Sequence, residues 1–536
     1  MRSGAGSPAG HNRVRVFGVL AAALVAVAAL VTGCGGSASQ PSASPDTLDL
    51  GFRGDLGGPP DPDTYYDAQA LMLIKNVYEG LLRYQPGTPE KKIIPWLATA
   101  WTVSPDNLTY TFTLRDGVKF HDGTPFDSSA VKANFARRTA VNGGPAYMLA
   151  DVVAVETPEP LTAVVRLGKP NADFLDYLAC AYAPQMMSPK GLAEHAGDDH
   201  AQTYLQNHDL GTGPYTLAEV KTNEFYSLKA FDEYWGEKPH FTTVNFPVVA
   251  DESSQIIQTN QGRIGAIVHF PSAATVQQFA NNSKFKVHNY PSLQNQQVYM
   301  NPHRGFLTSP EARMDLLKAI DVSAAMADLE KAGMSEPSDT MSPKGQVPDG
   351  YALQNISYDT EPLRARVAAM PADQRTLQIA YQNDASDDQL VADRIAAQLS
   401  ELGLQASVTP ITSSQRFSWV GDPAAARNAP EILLAQFGPD ARTAYAWTHL
   451  QFDTDGGLQF FSCEVPGVDE LDAEAAATGS MDTFNRVAEL AWQTGCWLNI
   501  GNRATTMIVD ASLTGVEEAY TVGTPSTLEL VKLGRA

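Results

Sequence analysis

The sequence predicts an α/β fold built on more than one hydrophobic core. Three observations carry this. The folded part of the chain runs to about 500 residues, more than a single core holds, so two or three lobes are expected. A strand–helix–strand pattern lies between Thr376 and Ile411, and a strand-then-helix pattern lies between Leu108 and Arg138.

The elements follow in chain order. Arg13 and Arg15 precede fifteen uncharged, mostly apolar residues, Phe17 to Val31. That stretch is too short to span a bilayer comfortably and suits the core of a signal peptide over residues 1–33. Val31-Thr32-Gly33-Cys34 is similar to a lipobox, which makes Cys34 the expected lipidation site and first residue of the mature chain. Residues 34–45 are rich in Gly, Ser, Ala and Pro and are expected to form a flexible tether. From Leu108 to Leu114 apolar residues alternate with Thr, the period of a half-buried strand. Arg115-Asp116-Gly117 signals a turn, and Val118 to Phe120 is expected to return as the partner strand of a hairpin. Asp127, Ser128 or Ser129 then caps a helix running through Phe135 to Arg138.

Further along, Thr376 to Tyr381 is expected to be a strand, and Asp387 to Leu402 a helix with Val391, Ile395, Leu399 and Leu402 on one face. Gly403 ends that helix, and Gln405 to Ile411 forms a second strand. Such a β-α-β unit belongs to an α/β lobe. An acidic helical region spans Val468 to Thr494 with a break near Gly479, and Leu528 to Leu533 is expected to be a last strand.

Losing residues 1–33 removes Arg2, Arg13 and Arg15 and no acid, which moves the net charge from −22 to −25. That balance excludes nucleic acid as a partner, since phosphate binding rests on basic groups. Cys463 and Cys496 bracket the acidic helical region and are expected to form a disulfide in an oxidising exterior. Cys180 lies in an apolar run and is expected to be a buried free thiol. No metal site is expected: the cysteines lack CxxC spacing, and the ten histidines are scattered without a companion cysteine or carboxylate at ligand spacing. The sequence holds no HExxH, GxSxG, Walker or GxGxxG motif, so catalysis and cofactors are not expected.

Several segments together carry a family resemblance. They are Asn76-Val77-Tyr78-Glu79-Gly80-Leu81, Pro95-Trp96-Leu97-Ala98, the 109–126 stretch ending His121-Asp122-Gly123-Thr124-Pro125-Phe126, Gly211-Thr212-Gly213-Pro214-Tyr215, and Tyr234-Trp235-Gly236-Glu237-Lys238-Pro239. In this order the chain resembles the family 5 extracellular solute-binding proteins of bacterial ABC importers, the dipeptide- and oligopeptide-binding group. The resemblance implies a two-lobed periplasmic-binding-protein-like fold of type II, in the large class with an extra subdomain. Lobe one would comprise 46–296 plus 512–536, with an inserted subdomain at about 85–209, and lobe two would comprise 297–511. It also implies a monomer, lipid-anchored on the extracytoplasmic face of the cell membrane, that delivers short peptides to ABC permease subunits. The Gly, Pro and aromatic motif residues are read as turn and core. The chain departs from the family pattern where Gly265 replaces an acidic residue and where Gly495-Cys496-Trp497 replaces a proline-containing strand. These departures leave open another ligand, such as an oligosaccharide, a glycolipid head group or a metal chelate. A role in envelope assembly without transport is also left open.

Peptide-binding members of the family hold the α-amino group with an aspartate in an aromatic-x-x-Asp motif, and Phe437-Gly438-Pro439-Asp440 matches it. Asp440 is therefore the expected anchor; the alternative is that it only caps a helix. Arg416 is the candidate for the ligand carboxylate, with a surface arginine as its alternative. Trp419, Tyr445 and Trp447 are candidates for the pocket wall, with core packing as theirs. Tyr65 and Tyr66, after Pro59-Pro60-Asp61-Pro62, complete the candidate set.

Overall fold

The computed structural model describes residues 45–268, 271–340, 354–383, 386–523 and 527–536. The expected signal peptide, Cys34 and nearly all of the tether lie outside the described residues.

One eleven-stranded sheet runs through the folded chain. Its order is Tyr215–Lys221, Phe225–Ala230, Thr243–Pro247, Thr47–Gly51, Ala266–Ile267, Trp497–Asp510, Phe285–Met300, Ile432–Phe437, Thr376–Gln382, Gln405–Ile411, and Ser335–Thr340 pairs off the path with Trp497–Asp510. At each end the pairing is partly parallel: Thr47–Gly51 lies between Thr243–Pro247 and Ala266–Ile267, and Thr376–Gln382 lies between Gln405–Ile411 and Ile432–Phe437. The middle consists of two long antiparallel strands, Phe285–Met300 and Trp497–Asp510. Each contributes to more than one core. Tyr290, Leu293, Met507 and Val509 pack with the N-terminal half of the chain, while Val298, Leu498 and Ile500 pack with residues between 307 and 434. A third core gathers Trp447, Phe460, Val487 and Trp497. The boundaries expected at 296/297 and 511/512 thus fall inside one long strand and just after the other.

A second, four-stranded antiparallel sheet (Ala98–Val103, Thr109–Leu114, Thr162–Leu167, Val152–Glu159) lies within residues 85–209, and the helix Ser128–Val141 packs on it. Asp127 caps that helix by accepting from the Ser129 amide. The expected hairpin is corrected here. Thr109–Leu114 pairs with Ala98–Val103 and Thr162–Leu167, whereas residues 118–120 fold onto 124–126. The cause is local. The Asp122 carboxylate accepts from the Thr124 amide at 2.9 Å, and Gly123 takes a φ of +81°, which tightens the loop and buries Val118, Phe120 and Phe126.

The β-α-β unit forms, with its helix spanning Ser386–Glu401. The acidic region is two helices, Val468–Thr478 and Met481–Thr494, with Gly479 in the left-handed conformation between them. A disulfide joins Cys463 to Cys496 across these helices, and Cys180 is a buried free thiol. The expected final strand is also corrected. Only Thr527–Leu528 is extended before a 3-10 turn at Leu530–Lys532. Thr527–Leu528 pairs with Tyr520–Thr521, and Asn76 holds the turn that follows: its Nδ2 donates to the Leu528 carbonyl (2.9 Å) and its Oδ1 accepts from the Leu530 amide (2.8 Å).

The resemblance motifs meet at one buried carboxylate. Glu79 accepts from Trp96 Nε1 (2.8 Å), the Thr212 hydroxyl (2.7 Å), the Tyr234 hydroxyl (2.8 Å) and Trp235 Nε1 (3.0 Å). Burial pushes its pKa up, against these four donors. His121 is equally committed, its two ring nitrogens bonding Asp209 and the Gly213 carbonyl. Gly213 must be glycine, because a Cβ there would stand 2.6 Å from the Asn76 carbonyl oxygen. These residues hold the framework together and leave ligand contact to others.

Candidate functional site

The strand Ile432–Phe437 ends at Gly438-Pro439, and the next four residues form a seam between cores. Ala441 packs into the first core, whereas Ala444 and Trp447 pack into the third. Each polar residue of the seam bonds to the N-terminal part of the chain. The Arg442 amide donates to the Tyr84 hydroxyl (3.0 Å), and Arg442 Nη2 donates to the Pro89 carbonyl (2.6 Å). The Thr443 hydroxyl donates to Asp173, and Thr443 also caps the helix Ala444–Phe452. Asp440 therefore is not that helix's cap.

Asp440 is 9 % exposed and accepts from two tyrosine hydroxyls, Tyr66 and Tyr147, the latter at 2.6 Å. Burial pushes its carboxyl up to about 6, against the two hydroxyls and His449, which lower it. Among the described residues, neither of its hydrogen-bond partners is a lysine or an arginine. Aromatic rings surround it: Tyr66 packs on Tyr182 (4.8 Å between centroids), Tyr147 on Tyr177 (5.7 Å) and His449 (6.3 Å), and His449 stacks on Tyr445 (5.3 Å). The chemistry of this place is that of a desolvated carboxylate among amphipathic rings, suited to receiving a cation.

Two devices bring the tyrosines there. Arg137 and Arg138 project from the helix Ser128–Val141 into the loop before Tyr65. Arg137 binds Asp61 and Asp63 (both 2.6 Å), and Arg138 binds Asp63 (2.8 Å) and the Pro62 carbonyl (2.9 Å). Then Gly143-Gly144-Pro145 lets the chain pass close to that loop, since a Cβ on Gly144 would stand 2.5 Å from the Tyr66 ring. Tyr147 follows directly. It was missed in the sequence, although the Gly-Gly-Pro run before it signals a close backbone approach.

The structure therefore brings Asp440, Tyr66 and Tyr445 together and keeps the other candidates apart. Tyr65 is framework, its hydroxyl donating to the Leu56 carbonyl and accepting from the Ala70 amide, both at 2.8 Å. Trp419 and Trp447 lie in the third core, Trp419 stacked on Phe461. Arg416 is buried rather than on the surface; it bonds Gln382 and stacks over Phe417 and Phe437 (4.6 and 4.5 Å).

A second polar group sits beside the paired long strands. Arg503, 6 % exposed, faces Asp387 at 3.5 Å, and its Nε and Nη1 have no hydrogen-bond partner among the described residues. Beside it Gln436 Nε2 donates to Asp388 (2.7 Å), whose carboxyl burial pushes up to about 6. Gln436 precedes Asp440 by four residues, so their Cα atoms lie at most about 14 Å apart.

Cores joined by crossing strands, with a buried carboxylate and aromatic rings on the seam, define a solute-binding protein of the two-lobed class. Residues 92–458 match the bacterial extracellular solute-binding proteins, family 5 Middle, and with more than half of its length matched the chain belongs to that family. It is a family of solute-binding proteins and not of enzymes. The chain is 27 % identical over 395 residues to the probable D,D-dipeptide-binding periplasmic protein DdpA of Escherichia coli, covering 71 % of this chain and 73 % of that protein. It is 29 % identical over 366 residues to the glutathione-binding protein GsiB of Salmonella paratyphi A, covering 66 % and 68 %. Among solved structures, the substrate-binding protein CtaP of Listeria monocytogenes superposes with a TM-score of 0.79 at 21 % identity, covering 91 % of this chain and 99 % of that one. The periplasmic binding protein DppA of Helicobacter pylori, in complex with the peptide STSA, does so with a TM-score of 0.76 at 18 % identity, covering 91 % and 98 %.

Proposed function

We propose that this protein is a lipid-anchored receptor of an ABC importer that captures short peptides at the seam, with the peptide amino group on Asp440. The observation that carries the proposal is Asp440 itself, a buried carboxylate whose bonding partners among the described residues are two hydroxyls. An incoming ammonium would replace the tyrosines with a charge-assisted bond. Arg503, two of whose guanidinium nitrogens have no hydrogen-bond partner among the described residues, is preferred to Arg416 as the partner for the peptide carboxylate. Relatives whose names or bound ligands are dipeptides, glutathione and a tetrapeptide support this ligand class. Contacts from both sides of the seam would favour the closed state, which is how such receptors signal occupancy to a permease. Cys34 would carry the lipid, so Cys34→Ala should release the protein from membranes.

Native mass spectrometry of residues 46–536, expressed in bacterial cytoplasm, tests the ligand. Co-purified mass that resolves on denaturation into short peptides supports the proposal. A clean mass that no peptide pool shifts overturns it and redirects attention to glycans or metal chelates.

A further inference from the structure

Beyond the seam, the helix Ala444–Phe452 carries a group that peptide capture does not use. His449 and Asp453 are one helical turn apart and so share a face. The helix Val468–Thr478 packs against that face and brings in Asp472. The donor atoms of His449, Asp453 and Asp472 all lie within 4.8 Å of one another. This corrects the expectation that no histidine has a carboxylate at ligand spacing, because the 449/453 spacing is helical.

The bonding inside the cluster is incomplete in a particular way. His449 Nδ1 meets Asp453 Oδ2 at 2.9 Å, and the Thr448 hydroxyl donates to Asp472 Oδ1 at 2.6 Å. The other oxygen of each acid, Asp453 Oδ1 and Asp472 Oδ2, is buried without a hydrogen-bond partner among the described residues. Asp472 is 0 % exposed and Asp453 6 %. Asp455 and Asp469 beside Asp453, and Asp173 beside Asp472, add negative potential. Asp453 also sits at the C-terminal, negative end of its helix, where a carboxylate is disfavoured unless a cation accompanies it. Burial and the neighbouring Asp453 push the Asp472 carboxyl up to about 8, so the two acids share a proton, and a cation within reach of the imidazole and both carboxyls would take that proton's place.

We propose that His449, Asp453 and Asp472 bind one divalent transition-metal cation of the zinc class beside the seam. The donor set selects the metal. An imidazole nitrogen with two carboxylates, and few ligands in all, suits Zn²⁺, while Ca²⁺ takes six to eight oxygens and Mg²⁺ keeps mostly water. Thr448 supports the site from behind by fixing the Asp472 carboxylate with its second oxygen inward. His449 is also the member that touches the seam, through Tyr445 and Tyr147. A bound cation would thus fix one wall of the place where Asp440 lies.

The test is calorimetric titration of Zn²⁺ into the full chain, untagged and stripped with chelator, without any peptide. The expected result is uptake of one equivalent with micromolar or tighter affinity, accompanied by a higher Tm. Asp472→Asn keeps the Thr448 bond and the packing, and it should weaken binding at least about tenfold, as should the partly exposed His449→Ala. The doubly substituted His195→Ala, His208→Ala protein, altered only at the exposed rings stacked on Tyr204, should bind as the unaltered chain does. Absence of stoichiometric zinc, or binding that survives both His449→Ala and Asp472→Asn, overturns the proposal. The paired acids would then be satisfied by a shared proton alone. Because no peptide is involved, this outcome is independent of the peptide proposal.

Discussion

Asp440 carries the most consequential charge at the scale of single residues, and its protonation sets a pH window. Its carboxyl lies at about 6 in the ligand-free protein, above the ordinary aspartate value. An ammonium pairs only with the ionised form. Peptide affinity should therefore be flat between that value and the peptide amino group's own pKa of about 8, and fall about tenfold per pH unit below the lower one, as binding must first expel a proton. Calorimetry of one peptide across acid and neutral pH reads this directly. Asp440→Asn should flatten the profile and lower affinity at neutral pH by about 2–5 kcal/mol, the usual cost of truncating a buried charge pair. An unchanged profile in that variant would remove Asp440 from the site. Gly144 offers an independent probe. A methyl group there would push on the Tyr66 ring, so Gly144→Ala should disturb the Tyr66–Asp440 bond and alter peptide affinity while leaving the pH midpoint governed by Tyr147 and burial.

Among the elements, the framework around Glu79 explains what the sequence could and could not reveal. Motif residues at 79, 96, 212 and 234–235 are visible as aromatics and turn formers, but their shared partner is a contact between segments up to 156 residues apart, which periodicity cannot show. Glu79→Ala would leave four donors without their acceptor, the Thr212 and Tyr234 hydroxyls buried and the two indole N–H groups on half-buried rings. Their combined cost should be on the order of 3–5 kcal/mol, read as a lower midpoint in urea unfolding with unchanged slope. Regular local patterns such as the helix capped by Asp127 and the unit from 376 to 411 were legible because each rests on neighbours in the chain. The hairpin expected at 108–120 failed because strand pairing is decided by partners at 98–103 and 162–167. The site divided the same way. Asp440 was singled out through its motif, whereas Tyr147 and His449 reach its neighbourhood only by tertiary packing.

Across the whole molecule, three of the carboxyls raised by burial are held by bonds between segments distant in the chain. Asp440 faces Tyr66 and Tyr147, Asp388 faces Gln436, and Asp173 bonds Thr443. Burial pushes Asp173 up to about 7 and the other two to about 6. An acid with a raised folded-state pKa binds more protons folded than unfolded, so stability falls as pH rises from the unfolded value to the folded one. His121 acts in the same direction: Asp209 and the Gly213 carbonyl outweigh burial and raise its pKa, and that contribution is lost as pH rises through the folded value. Carboxyls with lowered values, such as Asp122 and Glu252, work oppositely, but their window lies below the ordinary carboxylate range. Between about pH 5 and pH 8 the raised groups therefore prevail, and the ligand-free protein should lose thermal stability across that interval. A bound peptide would supply an ammonium to Asp440 and remove its share of the loss, so the Tm gain on adding peptide should grow with pH. Differential scanning calorimetry with and without peptide at both ends of the interval gives the answer. A ligand-free Tm that rises toward pH 8 would mean that these seam carboxyls are already compensated by charges other than the ones seen here.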